Sequence, residues 1–126
     1  MTSIPIKSVL VVDDSRLARL LISKYILGTY PHWLIIEASS GAEAVDKAKV
    51  ECPNYITMDY NMEGMNGAEA AEQILQYAPK TTIALFTANI QASTKSQAQT
   101  LGIHFVAKPV TEDTVQQALD YFASRS

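Results

Sequence analysis

The chain has 126 residues, which fits one domain around a single core, and 48% of them are hydrophobic, so no disulfide or structural metal is needed to hold it. A net charge of −3 with interspersed signs leaves no basic footprint for nucleic acid, and no run of about 18 apolar residues offers a membrane span. The opening Met1-Thr2-Ser3-Ile4-Pro5-Ile6 lacks the charged start and apolar core of a signal peptide, and the lone Cys52, read as a surface or helix-end thiol, suits a reducing cytoplasm.

Val9-Leu10-Val11-Val12 is a continuous, mostly β-branched run and predicts a strand covered on both faces. Asp13-Asp14-Ser15 ends it and can cap the next element. From Arg16 to Leu27, the sets Leu17, Leu21, Tyr25 and Ala18, Ile22, Ile26 recur at helical spacing, with Gly28 as the expected stop. Arg16 and Arg19 are expected on the solvated face of this helix. A second strand is expected from Trp33 to Ala38, after Tyr30-Pro31-His32, and its mixed sequence suits a sheet edge.

Ser40-Gly41-Ala42-Glu43 has the form of a capping box, with Ser40 as cap and Glu43 reaching back. An alanine-rich helix follows to about Glu51, and Pro53 lies beyond its end. Tyr55-Ile56-Thr57-Met58 is the third strand and delivers Asp59. Asn66-Gly67-Ala68-Glu69 repeats the capping form and opens a helix with Ala70, Ile74, Leu75 and Ala78 on one side. After the turn Pro79-Lys80-Thr81-Thr82, the strand Ile83-Ala84-Leu85-Phe86 delivers Thr87.

Residues 91–101 predict a polar helix with only Ala92, Ala98 and Leu101 to pack, closed by Gly102. Ile103-His104-Phe105-Val106-Ala107 is the fifth strand, with His104 as a sheet residue rather than a ligand, and Lys108-Pro109 breaks it. Thr111 caps a last helix that carries Glu112 and Asp113 in its first turn, where the macrodipole favours them. Val115, Ala118, Leu119 and Phe122 make its buried side.

Five short apolar runs alternating with five helical patterns imply an α/β fold, a doubly wound parallel sheet with helices on both faces. The natural strand order is flavodoxin-like, 2-1-3-4-5, whose switch point lies between the first and third strands. Asp13, Asp14 and Asp59 stand at the carboxyl ends of those two strands and are expected in one crevice.

Carboxylates crowded together are stable as anions only with a cation among them. Oxygen donors without His or Cys point to Mg²⁺ or a similar hard ion. The Lys108 ammonium and the Thr87 hydroxyl, from neighbouring strand ends, complete a set that matches the oxygens of a phosphoryl group in transfer. Asp59 stands alone at its strand end and is the better nucleophile, while Asp13 and Asp14 share the metal. An aspartate-nucleophile phosphatase would need Asp-x-Asp on the first strand, which Asp13-Asp14-Ser15 does not supply. A flavin binder would need a hydroxyl- and glycine-rich loop there, and this one is acidic.

The set Asp13-Asp14, Asp59, Thr87 and Lys108-Pro109, in this order, resembles the receiver domain of two-component response regulators, over Val9 to Phe122. The single-domain chemotaxis type is the nearest in kind, since residues 1–126 leave nothing for an output domain. The resemblance implies that Asp59 accepts a phosphoryl group from a histidine kinase or histidine phosphotransfer protein. It implies Mg²⁺ held by Asp14, Asp13, Asp59 and the backbone carbonyl of Asn61, with Lys108 on the phosphoryl oxygens. Thr87 would move inward and Phe105 would rotate into the space it leaves. The Lys108–Pro109 bond matches one often cis in the family, and Asn61 and Asn89 fall where the family tunes dephosphorylation.

The same resemblance implies a switch with self-catalysed transfer and autodephosphorylation rather than a metabolic enzyme. Its target protein would dock on the fourth helix, fifth strand and fifth helix. A cytoplasmic monomer that binds neither nucleic acid nor membrane is expected. A phosphorelay intermediate and a receiver-like module that is never phosphorylated are the alternatives. Two departures stand out. Glu63 occupies the place of the family's usual loop proline and adds a carboxylate near the site, and Phe105 brings no hydroxyl to the switch position.

Overall fold

A computed structural model describes residues 6–125. The opening residues 1–5, read above for a signal peptide, lie outside them. The elements alternate as β1 (Ser8–Val12), α1 (Arg16–Thr29), β2 (Leu34–Ala38), α2 (Gly41–Glu51), β3 (Tyr55–Asp59), α3 (Gly67–Tyr77), β4 (Thr82–Thr87), α4 (Ala92–Leu101), β5 (His104–Ala107) and α5 (Glu112–Arg125). All pairings are parallel and the order is β2-β1-β3-β4-β5. This is the flavodoxin-like arrangement that the apolar runs imply.

Strands buried on both faces separate two cores. Leu10, Val12, Ile56, Met58, Ile83 and Leu85 face α2, α3 and α4, whose contribution is mostly alanine. Val9, Val11, Tyr55, Ala84 and Phe86 face α1 and α5, which supply Ile22, Ile26, Val115, Leu119 and Phe122. Small residues dominate the helix side of the first core, and bulky ones the helix side of the second. The half-exposed strand β2, with Glu37 among its apolar residues, takes one edge, as its mixed sequence suggests.

Several local expectations need correction. Gly28 does not stop α1. The helix continues to Thr29 and is capped at Tyr30, whose N–H reaches the Ile26 carbonyl. The stop comes from Pro31, which disfavours helical backbone in the residue before it. Trp33 precedes β2 instead of opening it, and its ring stacks between Tyr30 and Tyr55 at the amino end of the sheet.

At α2 the Ser40 hydroxyl accepts from the Glu43 N–H, but the Glu43 carboxylate turns to the N–H and hydroxyl of Ser39. The box is therefore displaced by one residue. At α3 it is complete, with Asn66 and Glu69 each bonding the other's N–H. On α4, Ala92 is exposed and the buried residues are Thr94 and Ala98. The side of α5 is as read, Val115, Ala118, Leu119 and Phe122, and the Thr111 hydroxyl accepts from the Thr114 N–H.

Candidate functional site

Register brings the acidic residues together. Val12 pairs with Met58, so the next residues along each strand, Asp13 and Asp59, emerge side by side at the carboxyl end of the sheet. Asp59 in turn pairs with Phe86, one residue before Thr87, and Thr87 pairs with Ala107, one before Lys108. The Lys108 N–H bonds the Thr87 carbonyl at 3.0 Å, fixing the two strand ends to each other. The Lys108–Pro109 peptide is cis.

One ligand oxygen from each of Asp13, Asp14 and Asp59 lies within 4.8 Å of the others. Lys108 Nζ stands 2.8 Å from Asp59 Oδ1 and 3.8 Å from Asp13 Oδ2. At that distance the Lys108 ammonium and Asp59 Oδ1 form a close ion pair. Asp13 Oδ1 accepts from the Ser15 N–H at 2.9 Å, and Asp13 Oδ2 has no hydrogen-bond partner. Both side chains are 2% exposed, where an unpartnered polar atom is expensive.

Burial is the largest influence on Asp59 and raises its carboxyl above the ordinary range. Lys108 and the Asn61 N–H pull it down and Asp14 pushes it up. Asp13 is raised in the same way, by burial first and by Asp59 and Asp14, against the Ser15 N–H and Lys108. Burial alone would lower Lys108, but Asp59, Asp13 and Asp14 together outweigh it and hold the ammonium charged. One ammonium thus fails to compensate three carboxylates. Asp13 Oδ2, buried without a hydrogen bond, and the all-oxygen donor set fit a hard divalent cation such as Mg²⁺.

The other expected residues are placed less simply. The Thr87 hydroxyl, fully buried, accepts from the Asn89 N–H at 2.9 Å. Asn89 Oδ1 accepts from the Gln91 N–H at the entry to α4. Asn61 and Glu63 are exposed on the loop after β3, where Gly64 turns the chain at φ +79. Phe105 is half-buried and carries the Lys95 ammonium 5.6 Å over its ring.

Two residues do more at the site than the sequence reading gave them. Gly67, read as the glycine that closes the loop after Asp59 and opens the third helix, packs its Cα face against the end of β3: a Cβ there would lie 2.2 Å from the Asp59 carbonyl oxygen. The signal available was its place eight residues after Asp59, at the start of a helix that must turn back over the strand. Arg19 is not on a solvated face. Its Nη1 donates to the Asp13 carbonyl at 2.7 Å and its Nε to Glu37 at 2.9 Å. No pattern in the chain announces an arginine whose partners are a main-chain carbonyl and a residue on another strand.

Comparison with known proteins agrees with this geometry. Residues 9–120 match the response regulator receiver domain. The chemotaxis protein CheY of Thermotoga maritima is 34% identical over 115 residues, spanning 90% of this chain and 95% of its own. CheY of Bacillus subtilis is 34% identical over 113 residues, spanning 89% and 93%. The response regulator domain of Thermotoga maritima CheB superposes with a TM-score of 0.82 at 27% identity, over 96% of each chain. The chain belongs to the response regulator receiver family and is similar to its CheY chemotaxis members.

Proposed function

We propose that this chain is a phosphorylatable switch. Asp59 takes a phosphoryl group from a phosphohistidine on a histidine kinase or phosphotransfer protein, and the phosphorylated form changes affinity for a partner protein. The observation that carries this reading is Asp59 itself: a buried carboxylate at a strand end, 2.8 Å from a lysine ammonium and clustered with two more carboxylates.

An Asp59 oxygen attacks phosphorus, forming an acyl phosphate as the bond from phosphorus to the donor nitrogen breaks. Hydrolysis later returns the carboxylate and inorganic phosphate. Lys108 moves little to meet the phosphoryl oxygens, since it already lies against Asp59, and its charge stabilises the transfer. Asp13, Asp14, Asp59 and the Asn61 carbonyl are the groups that would hold Mg²⁺, which when bound neutralises charge on the phosphoryl oxygens. Asn61 and Asn89 flank the path of the hydrolytic water and bear on the lifetime of the signal.

The Thr87 hydroxyl exchanges its Asn89 N–H for the phosphoryl group, and Phe105 follows into the space vacated. The target docks on α4, β5 and α5. Supporting this, α4 has no side-chain cap and buries only Thr94 and Ala98, so little holds it in one position. A partner that selects the phosphorylated state raises phosphorylation by the same factor. The likeness to CheY favours a chemotaxis-type output. No helix among the described residues is long and apolar enough to cross a membrane, and action as a cytoplasmic monomer completes the proposal.

The test is intact mass after incubation with acetyl phosphate, with and without Mg²⁺, quenched in acid. The wild type should gain one phosphoryl group only with Mg²⁺. Asp59→Asn should gain none while keeping its fold, and Lys108→Ala should fold but respond slowly or be uncoupled. An adduct that survives Asp59→Asn sinks the acceptor assignment. No adduct, together with no binding of beryllofluoride, leaves the unphosphorylated interaction module as the reading.

A further inference from the structure

We propose that Arg19 is a positioning residue for the acidic pair. It fixes the plane of the peptide that joins Asp13 to Asp14, and so sets the direction in which both carboxylates enter the site. This rests on the metal-binding role proposed above for those residues.

Three tethers hold Asp13. Its N–H donates to the Ala38 carbonyl at 3.1 Å. Its Oδ1 accepts from the Ser15 N–H at 2.9 Å. Its carbonyl accepts from Arg19 Nη1 at 2.7 Å. The first two fix the strand end and one side-chain oxygen. The third acts on the peptide unit leading to Asp14, and because that unit is planar, holding its oxygen restricts ψ of Asp13 and φ of Asp14 together. Asp14 is exposed, so its direction depends on the backbone that carries it.

Arg19 is itself held. Its Nε donates to Glu37 Oε1 at 2.9 Å, with the Arg19 side chain 15% exposed. Glu37 is the residue before Ala38, so the guanidinium and the Asp13 N–H are both anchored to the last residues of β2. Lys47 donates to the Glu37 carbonyl and pairs with Glu43 at 3.5 Å, and Glu43 accepts from the Ser39 N–H. The corner between β2 and α2 therefore forms a frame, and Arg19 connects that frame to the acidic pair. The connection needs two donors in fixed divergence on one planar group, which a lysine ammonium on its flexible stem does not provide. An ion pair to a half-exposed glutamate adds little stability, so the arginine is better explained by what it orients.

The test measures Mg²⁺ affinity by competition with Mn²⁺ in electron paramagnetic resonance, and metal-free melting by circular dichroism in EDTA. The wild type, Arg19→Gln, Arg19→Lys and Glu37→Ala are compared. Arg19→Gln should weaken Mg²⁺ binding about tenfold or more, the usual effect of removing a group that orients a ligand. Its metal-free melting should shift by only a few degrees. Arg19→Lys should remain defective despite its charge, and Glu37→Ala should lose affinity in the same direction by a smaller factor. If Arg19→Gln fails to fold, Glu37→Ala, altered at an exposed edge-strand position, decides the matter alone. Unchanged Mg²⁺ affinity in Arg19→Gln or in Glu37→Ala overturns the inference, as does full recovery in Arg19→Lys, which would make charge sufficient. A wild type that binds no Mg²⁺ removes the proposed function and this inference together, whereas wild-type binding with an unaffected Arg19→Gln removes only the inference.

Discussion

Tyr55 and Asp59 open and close the same strand and are 5% and 3% exposed, yet burial has opposite consequences for them. The Tyr55 ring lies in a stack, 5.3 Å from Trp33 and 4.6 Å from Phe122, centroid to centroid. Apolar area and aromatic contact there both favour the fold. Asp59 is buried beside two other carboxylates with one ammonium for all three. Its burial opposes the fold while that charge is uncompensated. The amino end of β3 supplies stability, and the carboxyl end carries clustered negative charge.

The largest effect should come from the amino end. Phe122 is fully buried and stacks on Tyr55 at an interplanar angle of 8°. Phe122→Ala should destabilise the protein by about 3–5 kcal/mol in urea denaturation, the range for deleting a buried aromatic ring. A loss below about 1 kcal/mol would mean that the cavity collapses and that the stack supports the fold little.

At the carboxyl end, geometry is tested next. Gly67→Ala puts a Cβ against main-chain atoms of Asp59 and Tyr60, which cannot move aside as a side-chain tip would. A destabilisation of about 1–3 kcal/mol is expected for such overpacking, with phosphorylation by acetyl phosphate reduced beyond what the loss of folded protein explains. Normal phosphorylation in a destabilised Gly67→Ala protein would show that the α3 start does not position Asp59 for it.

The charge at the same end predicts an effect of opposite sign. Asp59→Asn should stabilise the metal-free protein at neutral pH, by about 1–3 kcal/mol, the scale of an uncompensated buried polar group. Lys108 retains Asp13 at 3.8 Å as a partner, so the ammonium is not stranded. Adding Mg²⁺ should raise the melting temperature of the wild type and do much less for the variant. A metal-free Asp59→Asn protein less stable than wild type would show that the Lys108 contact outweighs burial and repulsion.

Most of the fold and the membership of the site could be read from the chain, because both depend on short-range patterns. Short apolar runs alternating with helical patterns read as strands of a parallel sheet, and parallel order then sends every strand-end polar residue to one edge. Asp13, Asp14, Asp59, Thr87 and Lys108 come to that edge for this reason. What the chain concealed depends on partners distant in sequence. Arg19 looks solvated until β2 brings Glu37 beside it. Glu43 fits a capping box, and only the path of the preceding residues shows Ser39 to be nearer. Thr94 on α4 reads as polar surface but is 3% exposed, since one turn of a thinly packed helix must still cover the sheet.

The smallest predicted effect lies at the entry to β3. Cys52 caps α2 in the left-handed region, at φ 47 and ψ 57. A side chain there is disfavoured by roughly 1–2 kcal/mol relative to glycine, which has no Cβ to clash with its own carbonyl. Glycine also loses more freedom on folding, by about 0.5–1 kcal/mol, which offsets part of the gain. The thiol's contact is a weak one, 3.6 Å to the Lys49 carbonyl, on an exposed residue. Cys52→Gly should therefore stabilise the protein by only about 0.5–1 kcal/mol in urea denaturation. Mg²⁺ affinity should be unchanged, since the change is confined to the end of β3 away from Asp59. A variant that is no more stable than wild type would show that the left-handed cap is relieved by its surroundings. One that altered metal binding would show that the two ends of β3 are not independent.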